Sequence, residues 1–310
     1  MNKIKTAVIG VGSLGRHHAR ILSTHPMSEF IGVVDADKKR AEAISKDCNC
    51  AHYQDYSSIL STAQAVVIAV PTPFHYKIAK DLISSGIHCL VEKPFTETVE
   101  EAEELIALAR DKNIVVQVGL VERFNPAIAA ALPYITNPRF VEVNRLGPYD
   151  PRTSHIGVVL DLMIHDIDIL LYMLKDKVVG LDAYGAKVLS DNEDIVKVRL
   201  KFSKGCVADI SASRVSLEKF RKIRVFQNDS YISVDYIGRT LKIYKKKKEK
   251  ITSLFDIDVI KPKIEQGEPL YFELTNFLQS AIEGKKPLVT GEHGRDALEI
   301  ALEIRKNIKF

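Results

Sequence analysis

The stretch KTAVIGVGSLGRHHARIL, residues 5–22, decides the fold of the first half of the chain. It opens on an apolar, β-branched run and then, after Gly15, repeats apolar side chains at helical spacing. Gly10, Gly12 and Gly15 stand between these two segments as G-x-G-x-x-G. Gly10 permits a tight turn, Gly12 lets the backbone approach a pyrophosphate, and Gly15 allows close helix packing. The stretch therefore predicts a strand, a phosphate-binding turn and a helix whose N-terminus faces the phosphates.

The next predicted strand, FIGVVD, ends at Asp35, twenty residues after Gly15. A carboxylate at this place can accept hydrogen bonds from both ribose hydroxyls and repels a 2'-phosphate, so NAD is the predicted cofactor. The basic run KKR at residues 38–40 could meet a 2'-phosphate, and NADP therefore stays possible.

Apolar strands at residues 65–70, 87–93 and 114–119 alternate with amphipathic helices. Such alternation over about 120 residues predicts a doubly wound α/β sheet, whose ligands bind at the carboxyl ends of the strands. The turns VPTPFH and EKP lie at those ends. The predicted cofactor contacts beyond the glycines and Asp35 are Ser13, Leu14, Pro71, Thr72, His75, Glu92 and Lys93.

Lys93 ends an apolar strand, which is an unusual place for a lysine. An unpaired ammonium costs several kcal/mol to bury, so this amine is expected either to be paired or to be used. One interpretation is a salt bridge to Glu92 or a side chain that extends to water. The other is that Lys93 reaches the hydroxyl of a bound substrate.

In the second half, residues 157–174 predict an almost entirely aliphatic helix. At 100° per residue, Asp161, His165 and Asp168 share one narrow face, while Asp166 points nearly the opposite way. Titratable groups on a buried helix need partners or a polar cleft. The stripe formed by Asp161, His165 and Asp168 is therefore either a structural network or the wall of a reactive site.

From residue 178 the pattern changes to short strands of alternating polarity separated by Gly, Asn and Asp turns. This predicts a mostly antiparallel sheet with one face available for packing. Two helices end the chain. We expect two domains, residues 1–120 with the dinucleotide-binding sheet and residues 121–310 with an α+β arrangement.

The composition excludes several classes of protein. A net charge of +4 on 310 residues gives no footprint for nucleic acid. The sequence has neither a signal-peptide pattern nor an apolar run long enough for a membrane span, so we expect a soluble cytoplasmic protein without membrane partners. The four cysteines lack metal-ligand spacing, and no metal site is predicted.

Four motifs together resemble the Gfo/Idh/MocA oxidoreductases, a family named from glucose-fructose oxidoreductase and inositol dehydrogenase. They are GVGSLG at 10–15, VPTPFH at 70–75, EKP at 92–94 and DLMIHDID at 161–168. The resemblance implies a Rossmann domain followed by an α+β domain with a large, mostly antiparallel sheet. It also implies a homodimer or homotetramer formed through the face of that sheet.

The resemblance further implies NAD(P)-dependent oxidation of a sugar hydroxyl, with Lys93 beside the nicotinamide and Asp161 and His165 as acid/base residues. His165 is the first candidate for the base, because an unperturbed imidazole has a pKa of about 6.5. Lys93 would hydrogen-bond the reacting oxygen or share the proton, and Asp161 would bind a neighbouring hydroxyl or orient the imidazole. This division between Lys93 and His165 stays open. We expect the two side chains to face each other.

The segments VERFNPA and GPYDPRTSHIGVVLDLMIHDID resemble the branch of the family that oxidises the 3-hydroxyl of UDP-N-acetylglucosamine to a 3-keto sugar nucleotide. Asp161 stands where asparagine is common in the related uronate branch. Arg123, Asn125 and Arg152 are then the predicted contacts to the sugar or pyrophosphate. Three alternatives remain: a dehydrogenase of a free polyol, inositol or other sugar, a non-catalytic NAD-binding sensor, and a redox-neutral glycosidase with tightly held NAD.

Overall fold

The computed structural model describes residues 2–310, apart from the side chain of Arg152, and the chain divides into two compact units. The first unit contains the chain up to Val121 together with Glu268–Leu298. The second contains Glu122–Gly267 and Glu299–Phe310. The division after Val121 lies one residue from the predicted boundary, whereas the return of Glu268–Leu298 to the first unit differs from the prediction of one continuous C-terminal domain.

The described part of the first unit contains a parallel sheet of six strands. They are β1 (Ile4–Ile9), β2 (Ser28–Val34), β3 (Ala51–Tyr53), β4 (Ala65–Ile68), β5 (His88–Glu92) and β6 (Val116–Gly119). Their order across the sheet is β3-β2-β1-β4-β5-β6, and every neighbouring pair is parallel. This is the strand order of doubly wound dinucleotide-binding sheets, so the predicted Rossmann domain is confirmed.

Four helices connect these strands. They are α1 (Gly15–Leu22), α2 (Lys38–Cys48), α3 (His75–Ser84) and α4 (Val99–Lys112). The start of α4 follows directly from local chemistry, because the Thr98 hydroxyl accepts from the Glu101 N–H and the Glu101 carboxylate accepts from the Thr98 N–H. Across residues 2–310, no helix has both the length and the apolar character needed to cross a membrane.

The second unit is built on a nine-stranded sheet in its described residues. The strands are β7 (Pro138–Leu146), β8 (Val178–Ala186), β9 (Ile195–Phe202), β10 (Val207–Ser213), β11 (Phe220–Gln227), β12 (Ser230–Asp235), β13 (Thr240–Lys246), β14 (Ile257–Ile260) and β15 (Ile308–Lys309). Their order is β14-β13-β12-β11-β7-β10-β9-β8-β15. Two neighbouring pairs, β7 with β10 and β8 with β15, are parallel and the others antiparallel. The predicted large, mostly antiparallel sheet is confirmed.

The two faces of this sheet differ in character. On the inner face, helix α5 (Pro126–Ala131) contacts β12 and β13, and the turn preceding helix α6 (Ile164–Leu174) contacts β10. The outer face carries a row of half-exposed aromatic rings whose neighbouring centroids are 5.0 to 5.9 Å apart. The rings belong to Phe140, Phe226, Tyr231 and Tyr244.

Helices α7 (Pro269–Glu283) and α8 (Gly291–Asn307) follow the second sheet in the chain, but α7 packs in the first unit. Its side chains Leu274 and Phe277 are buried in the apolar cluster that also contains Val8 and Leu90 of the parallel sheet. This burial removes apolar area that the six-stranded sheet would otherwise expose to water. The hydrophobic pattern of α7 predicts a helix but does not specify which sheet it covers.

Glu273 lies on the buried side of α7 and is 0% exposed. Its backbone carbonyl accepts a hydrogen bond from Gln117 Nε2 at 3.1 Å, and within the described residues neither carboxyl oxygen has a hydrogen-bond partner. Burial, together with the negative charge of Glu92, raises the pKa of Glu273 well above its usual range. The buried site therefore favours the protonated form of Glu273.

We expect Glu273→Gln to increase stability at alkaline pH. Because the folded-state pKa is raised, the unfolded chain releases a proton above its own pKa of about 4.3 that the folded chain retains, so wild-type stability falls as the pH rises. The amide has the same shape and does not ionise. Melting temperatures followed by circular dichroism at pH 5 and pH 8 should show a larger advantage for the variant at pH 8.

Glu283→Gln is the matched control, because Glu283 lies at the exposed end of the same helix and Lys285 lowers its pKa. This variant should gain no stability at pH 8. An advantage of Glu273→Gln that is equal at both pH values would contradict a protonated Glu273.

Candidate active site

The glycine turn after β1 is tight at two positions and open at the third. Gly10 has φ +83°, and a Cβ added to it would lie 2.6 Å from the Ala69 carbonyl oxygen. A Cβ on Gly15 would lie 1.8 Å from the Gly10 carbonyl oxygen. At Gly12 the nearest atom to such a Cβ is 3.9 Å away, on Arg40. The turn is therefore closed against the sheet and open where a pyrophosphate would approach.

Asp35 is oriented by the backbone around it. Val11 N–H donates to Asp35 Oδ2 and Asp37 N–H donates to Oδ1, both at 2.9 Å. The Arg40 guanidinium lies 3.3 Å from Asp35 and 3.4 Å from Asp37. These contacts hold the Asp35 carboxylate at the end of β2. Asp35 and Asp37 also neutralise Arg40, which belongs to the basic run that could meet a 2'-phosphate.

The glycine turn and Asp35 fit a bound dinucleotide. Gly12 leaves space for a pyrophosphate, Ser13 and Leu14 are exposed in the turn that leads into α1, and Asp35 supplies an acceptor at the place of the ribose. Gly10 and Gly15 contribute the shape of the turn. The predicted contacts in this turn thus lie together within the first unit.

His75 connects the two other motifs of this edge. Its ring is 1% exposed, with Nδ1 2.8 Å from the Pro94 carbonyl oxygen and Nε2 2.8 Å from the Val70 carbonyl oxygen. Burial lowers the pKa of His75 more than these carbonyl contacts raise it. The ring therefore links the end of β4 to the EKP turn, while Pro71 and Thr72 remain partly or fully exposed beside it.

Glu92 is hydrogen-bonded to His18, a histidine to which the sequence analysis assigned no role. His18 Nε2 of α1 lies 2.7 Å from Glu92 Oε1, and the Lys93 N–H donates to Oε2 at 3.2 Å. Burial would raise the pKa of Glu92, but His18 and Lys93 outweigh it, so the pKa lies below its usual range. A Cβ on Gly119 would lie 2.8 Å from Glu92 Oε2, so β6 also closes over this carboxylate.

Lys93 is half-buried and directly follows this fixed carboxylate. Its charge lowers the pKa of Glu92, in line with the structural interpretation of a lysine near an acid. The Glu92 carboxylate is contacted by the His18 ring and by the Lys93 backbone N–H. The catalytic role of Lys93 stays a prediction.

The predicted helix 157–174 begins differently from a regular α-helix. Val159–Met163 form a π-helical turn, and α6 follows from Ile164. A Cβ on Gly157 would lie 1.9 Å from Glu193 Oε1, so a larger residue at the entry to this turn would have to displace the Glu193 carboxylate. π-helical turns are frequent at functional sites. The turn carries Asp161, which is half-buried like His165 at the start of α6.

Asp168 pairs with Arg123 inside the second unit. Arg123 Nε donates to both carboxylate oxygens at 3.0 and 2.8 Å, and both side chains are 1% exposed. The guanidinium also lies over the Tyr172 ring, 4.6 Å from its centroid. Burial raises the pKa of Asp168 to about 6, against the opposing effect of Arg123. Asp168 and Tyr172 thus share one helix face, and that part of the stripe is a structural network.

The predicted substrate contacts are placed as follows. Arg123 is held by Asp168, and Asn125 caps α5 by accepting from the Ala127 N–H at 3.1 Å. Both are 3% exposed. The Arg152 side chain lies outside the described part of the structure. The structure thus gives Arg123 and Asn125 structural roles, and direct contact with a substrate remains a prediction for all three.

A second buried arginine holds the other side of α6. Arg145 on β7 donates to both oxygens of Asp166 at 2.7 Å and to Glu122 Oε1 at 2.9 Å. Asp166 was expected to point away from Asp168, and it contacts a different arginine. The sequence signal for this network was Asp166, the first aspartate of the HDID motif, which needed a partner that only the fold identifies.

Comparison with known proteins matches two separate stretches of the chain to two family domains. Residues 4–120 match the oxidoreductase family with an NAD-binding Rossmann fold of the Gfo/Idh/MocA group, and residues 137–232 match the Gfo/Idh/MocA C-terminal domain. UDP-N-acetylglucosamine 3-dehydrogenase of Acidithiobacillus ferrooxidans is 33% identical over 98% of this chain and 97% of its own. Its solved structure has a TM-score of 0.93 and covers 99% of this chain and 98% of that one.

Two other similar proteins carry different substrates in their names. The NAD-dependent scyllo-inositol 2-dehydrogenase of Bacillus subtilis is 28% identical over 69% of this chain and 68% of its own. A levoglucosan dehydrogenase solved with NADH has a TM-score of 0.88 at 19% identity, covering 99% of this chain and 97% of that one. At this identity the second comparison concerns the fold alone.

Asp161 and Asp168, the two aspartates of the predicted stripe, should respond differently to substitution. Asp168→Asn leaves Arg123 buried without its carboxylate, and breaking such a pair costs about 3 to 5 kcal/mol. Asp161→Asn changes a half-buried side chain, so it should leave the melting temperature close to that of the wild type. Thermal unfolding followed by circular dichroism measures both. Equal losses of stability in the two variants would contradict the division of the stripe into structural and reactive parts.

Proposed function

Because the chain belongs to the Gfo/Idh/MocA oxidoreductase family, we propose that it oxidises the 3-hydroxyl of UDP-N-acetylglucosamine to a 3-keto sugar nucleotide. The coarser activity is that of an NAD(P)-dependent dehydrogenase acting on CH–OH groups. The observation that supports UDP-N-acetylglucosamine as the substrate is the 33% identity to UDP-N-acetylglucosamine 3-dehydrogenase, which extends over 98% of the chain.

The proposed chemistry assigns a role to three side chains. Bound NAD would supply the acceptor for the hydride that leaves the sugar carbon. His165 takes the proton of the 3-hydroxyl, and the Lys93 ammonium donates a hydrogen bond to the same oxygen and stabilises its developing negative charge. Asp161 binds a neighbouring hydroxyl or orients the imidazole. The proposal leaves open which of Lys93 and His165 finally holds the proton.

We propose NAD rather than NADP as the cofactor. Asp35 is held in place by two backbone N–H groups, and its negative charge opposes a 2'-phosphate. Arg40 supports this preference, because its guanidinium is already shared between Asp35 and Asp37.

A homodimer or homotetramer is also proposed, formed through the outer face of the nine-stranded sheet. The row of half-exposed rings from Phe140 to Tyr244 supports this, because aromatic side chains are enriched at protein interfaces.

The second candidate function is a dehydrogenase of a free inositol or polyol. The 28% identity to scyllo-inositol 2-dehydrogenase favours it. It uses the same residues, and it differs from the first candidate in having a neutral substrate.

Absorbance at 340 nm with NAD and UDP-N-acetylglucosamine should increase, with a glutamate-dependent aminotransferase present to consume the keto product. We expect Lys93→Ala and His165→Ala each to lower kcat by about 10²- to 10⁴-fold, since each removes a proton-transfer or charge-stabilising group. Lys77→Ala is the matched control, because Lys77 is an exposed lysine of α3. It should retain wild-type turnover.

Parallel assays use free inositols, polyols and sugars in place of the sugar nucleotide. Turnover with these alone would reject UDP-N-acetylglucosamine in favour of the second candidate. Binding of NAD without turnover of any compound would reject both and support a non-catalytic sensor.

Asp35→Ser should shift the cofactor preference towards NADP. The substitution removes a repelling charge and releases Arg40 to bind the 2'-phosphate, and one charge-assisted contact corresponds to about 10- to 100-fold in kcat/KM. The ratio of kcat/KM for NADP to that for NAD measures the shift. The double variant with Arg40→Ala should lose most of it. An unchanged ratio in Asp35→Ser would show that Asp35 does not face the ribose.

A further inference from the structure

Arg221 is a second arginine on the inner face of the nine-stranded sheet. It stands on β11 directly opposite Arg145 of β7 in the antiparallel register. Two residues further along, Ile223 pairs with Val143, and both are buried at 0% and 1% exposure. Since side chains alternate between faces, Arg221 points to the same side as these residues and as Asp166, which contacts Arg145.

The acids near this arginine pair are used by Arg145. Asp166 receives two hydrogen bonds from Arg145, and Glu122 Oε1 receives a third. Arg221 Nη1 lies 3.8 Å from that same Glu122 oxygen, beyond hydrogen-bond distance. Within the described residues, the Arg221 guanidinium donates no hydrogen bond. Its side chain is 38% exposed, so the fork is accessible.

The surroundings of Arg221 disfavour the positive charge of its guanidinium, which has no carboxylate within hydrogen-bond distance. Burial, followed by the positive charge of Arg145, lowers the pKa of Arg221, whereas Glu122, Asp166 and Asp161 act in the opposite direction. A guanidinium stays protonated all the same. An anion bound at the exposed fork would offset the repulsion from Arg145 and satisfy the remaining donors.

Asp161 connects Arg221 to the proposed reaction. The turn Val159–Met163, which carries Asp161, contacts β10 on the inner face of the sheet, and Arg221 points to that same face. Two other arginines of the second unit already have close hydrogen-bond partners. Asp168 accepts from Arg123, and Arg214 donates to Asp194 and to backbone carbonyls at 2.6 to 2.9 Å.

We propose that Arg221 recognises an anionic group of the substrate, a phosphate oxygen of the sugar nucleotide, and so selects sugar nucleotides over neutral sugars. The inference rests on the proposed function, because it requires an anionic substrate. Arg221 contributes binding and specificity, whereas proton transfer stays with Lys93 and His165. The planar fork suits two phosphate oxygens, which a lysine ammonium does not match.

Arg221→Met keeps the apolar part of the side chain and removes the charge. We expect KM for UDP-N-acetylglucosamine to rise about 10- to 100-fold, as for the loss of one or two charge-assisted contacts. kcat should change far less, because the contact is made equally in the ground state and the transition state. KM for NAD should not change, and Arg221→Lys should recover part of the loss.

Arg110→Met is the matched control. Arg110 lies on α4 of the first unit, is 73% exposed and has one ion pair, to Glu292 at 4.0 Å. The substitution is chemically identical, and KM should stay within about twofold of the wild type, as for an exposed arginine with a weak surface pair. Size-exclusion chromatography of all variants confirms that assembly is unchanged.

Inhibition of the wild-type enzyme tests the same recognition without a variant. UDP should compete with UDP-N-acetylglucosamine far better than uridine, and the advantage of UDP should shrink in Arg221→Met. If UDP and uridine inhibit the wild type equally, or if Arg221→Met retains the wild-type KM, the inference is overturned. Absence of wild-type turnover with UDP-N-acetylglucosamine would instead reject the proposed function, so the two failures are distinct.

Discussion

The buried hydrogen bond between His18 and Glu92 holds together the edge of the first unit at which the parallel strands end. His18 belongs to the helix that follows the glycine turn, and Glu92 ends β5, so the 2.7 Å contact fixes two motifs that are 74 residues apart. A carboxylate that is buried and paired in this way cannot move without leaving a charge unpaired. The position of Lys93, the next residue in the chain, follows from that constraint.

His75 extends the same constraint to the end of β4. Its ring lies between the carbonyl oxygens of Val70 and Pro94, so the backbone on both sides of the EKP turn is tied to one buried side chain. Glu273 of α7 is buried in the same unit, and the negative charge of Glu92 adds to burial in raising its pKa. The ends of β4 and β5 are thus held by buried polar side chains, whereas Gly12 and Leu14 remain open to a ligand.

Local chemistry explains why the first unit could be predicted from the sequence. Gly10 and Gly15 are required by contacts inside one turn, and Asp35 ends the adjoining strand, so the motif and its meaning lie within one stretch of chain. The return of α7 and the pairing of His18 with Glu92 depend on contacts across long separations, which periodicity does not encode. The π-helical turn at Val159–Met163 was missed for another reason: the 100° rule assumes a regular α-helix along the whole segment.

The arginines of the second unit show why residue type alone does not identify a binding group. Arg123 stands in a motif and was predicted to contact the substrate, yet Asp168 occupies its fork, and Asp166 and Glu122 do the same for Arg145. Arg221 belongs to none of the four motifs. It differs from the other two in being 38% exposed and in having no carboxylate within hydrogen-bond distance. The second difference is set by sheet register and by the two aspartates of α6. Availability for an anion is therefore a property of the folded charge network, and for this reason Arg221 is the arginine proposed to select a charged substrate.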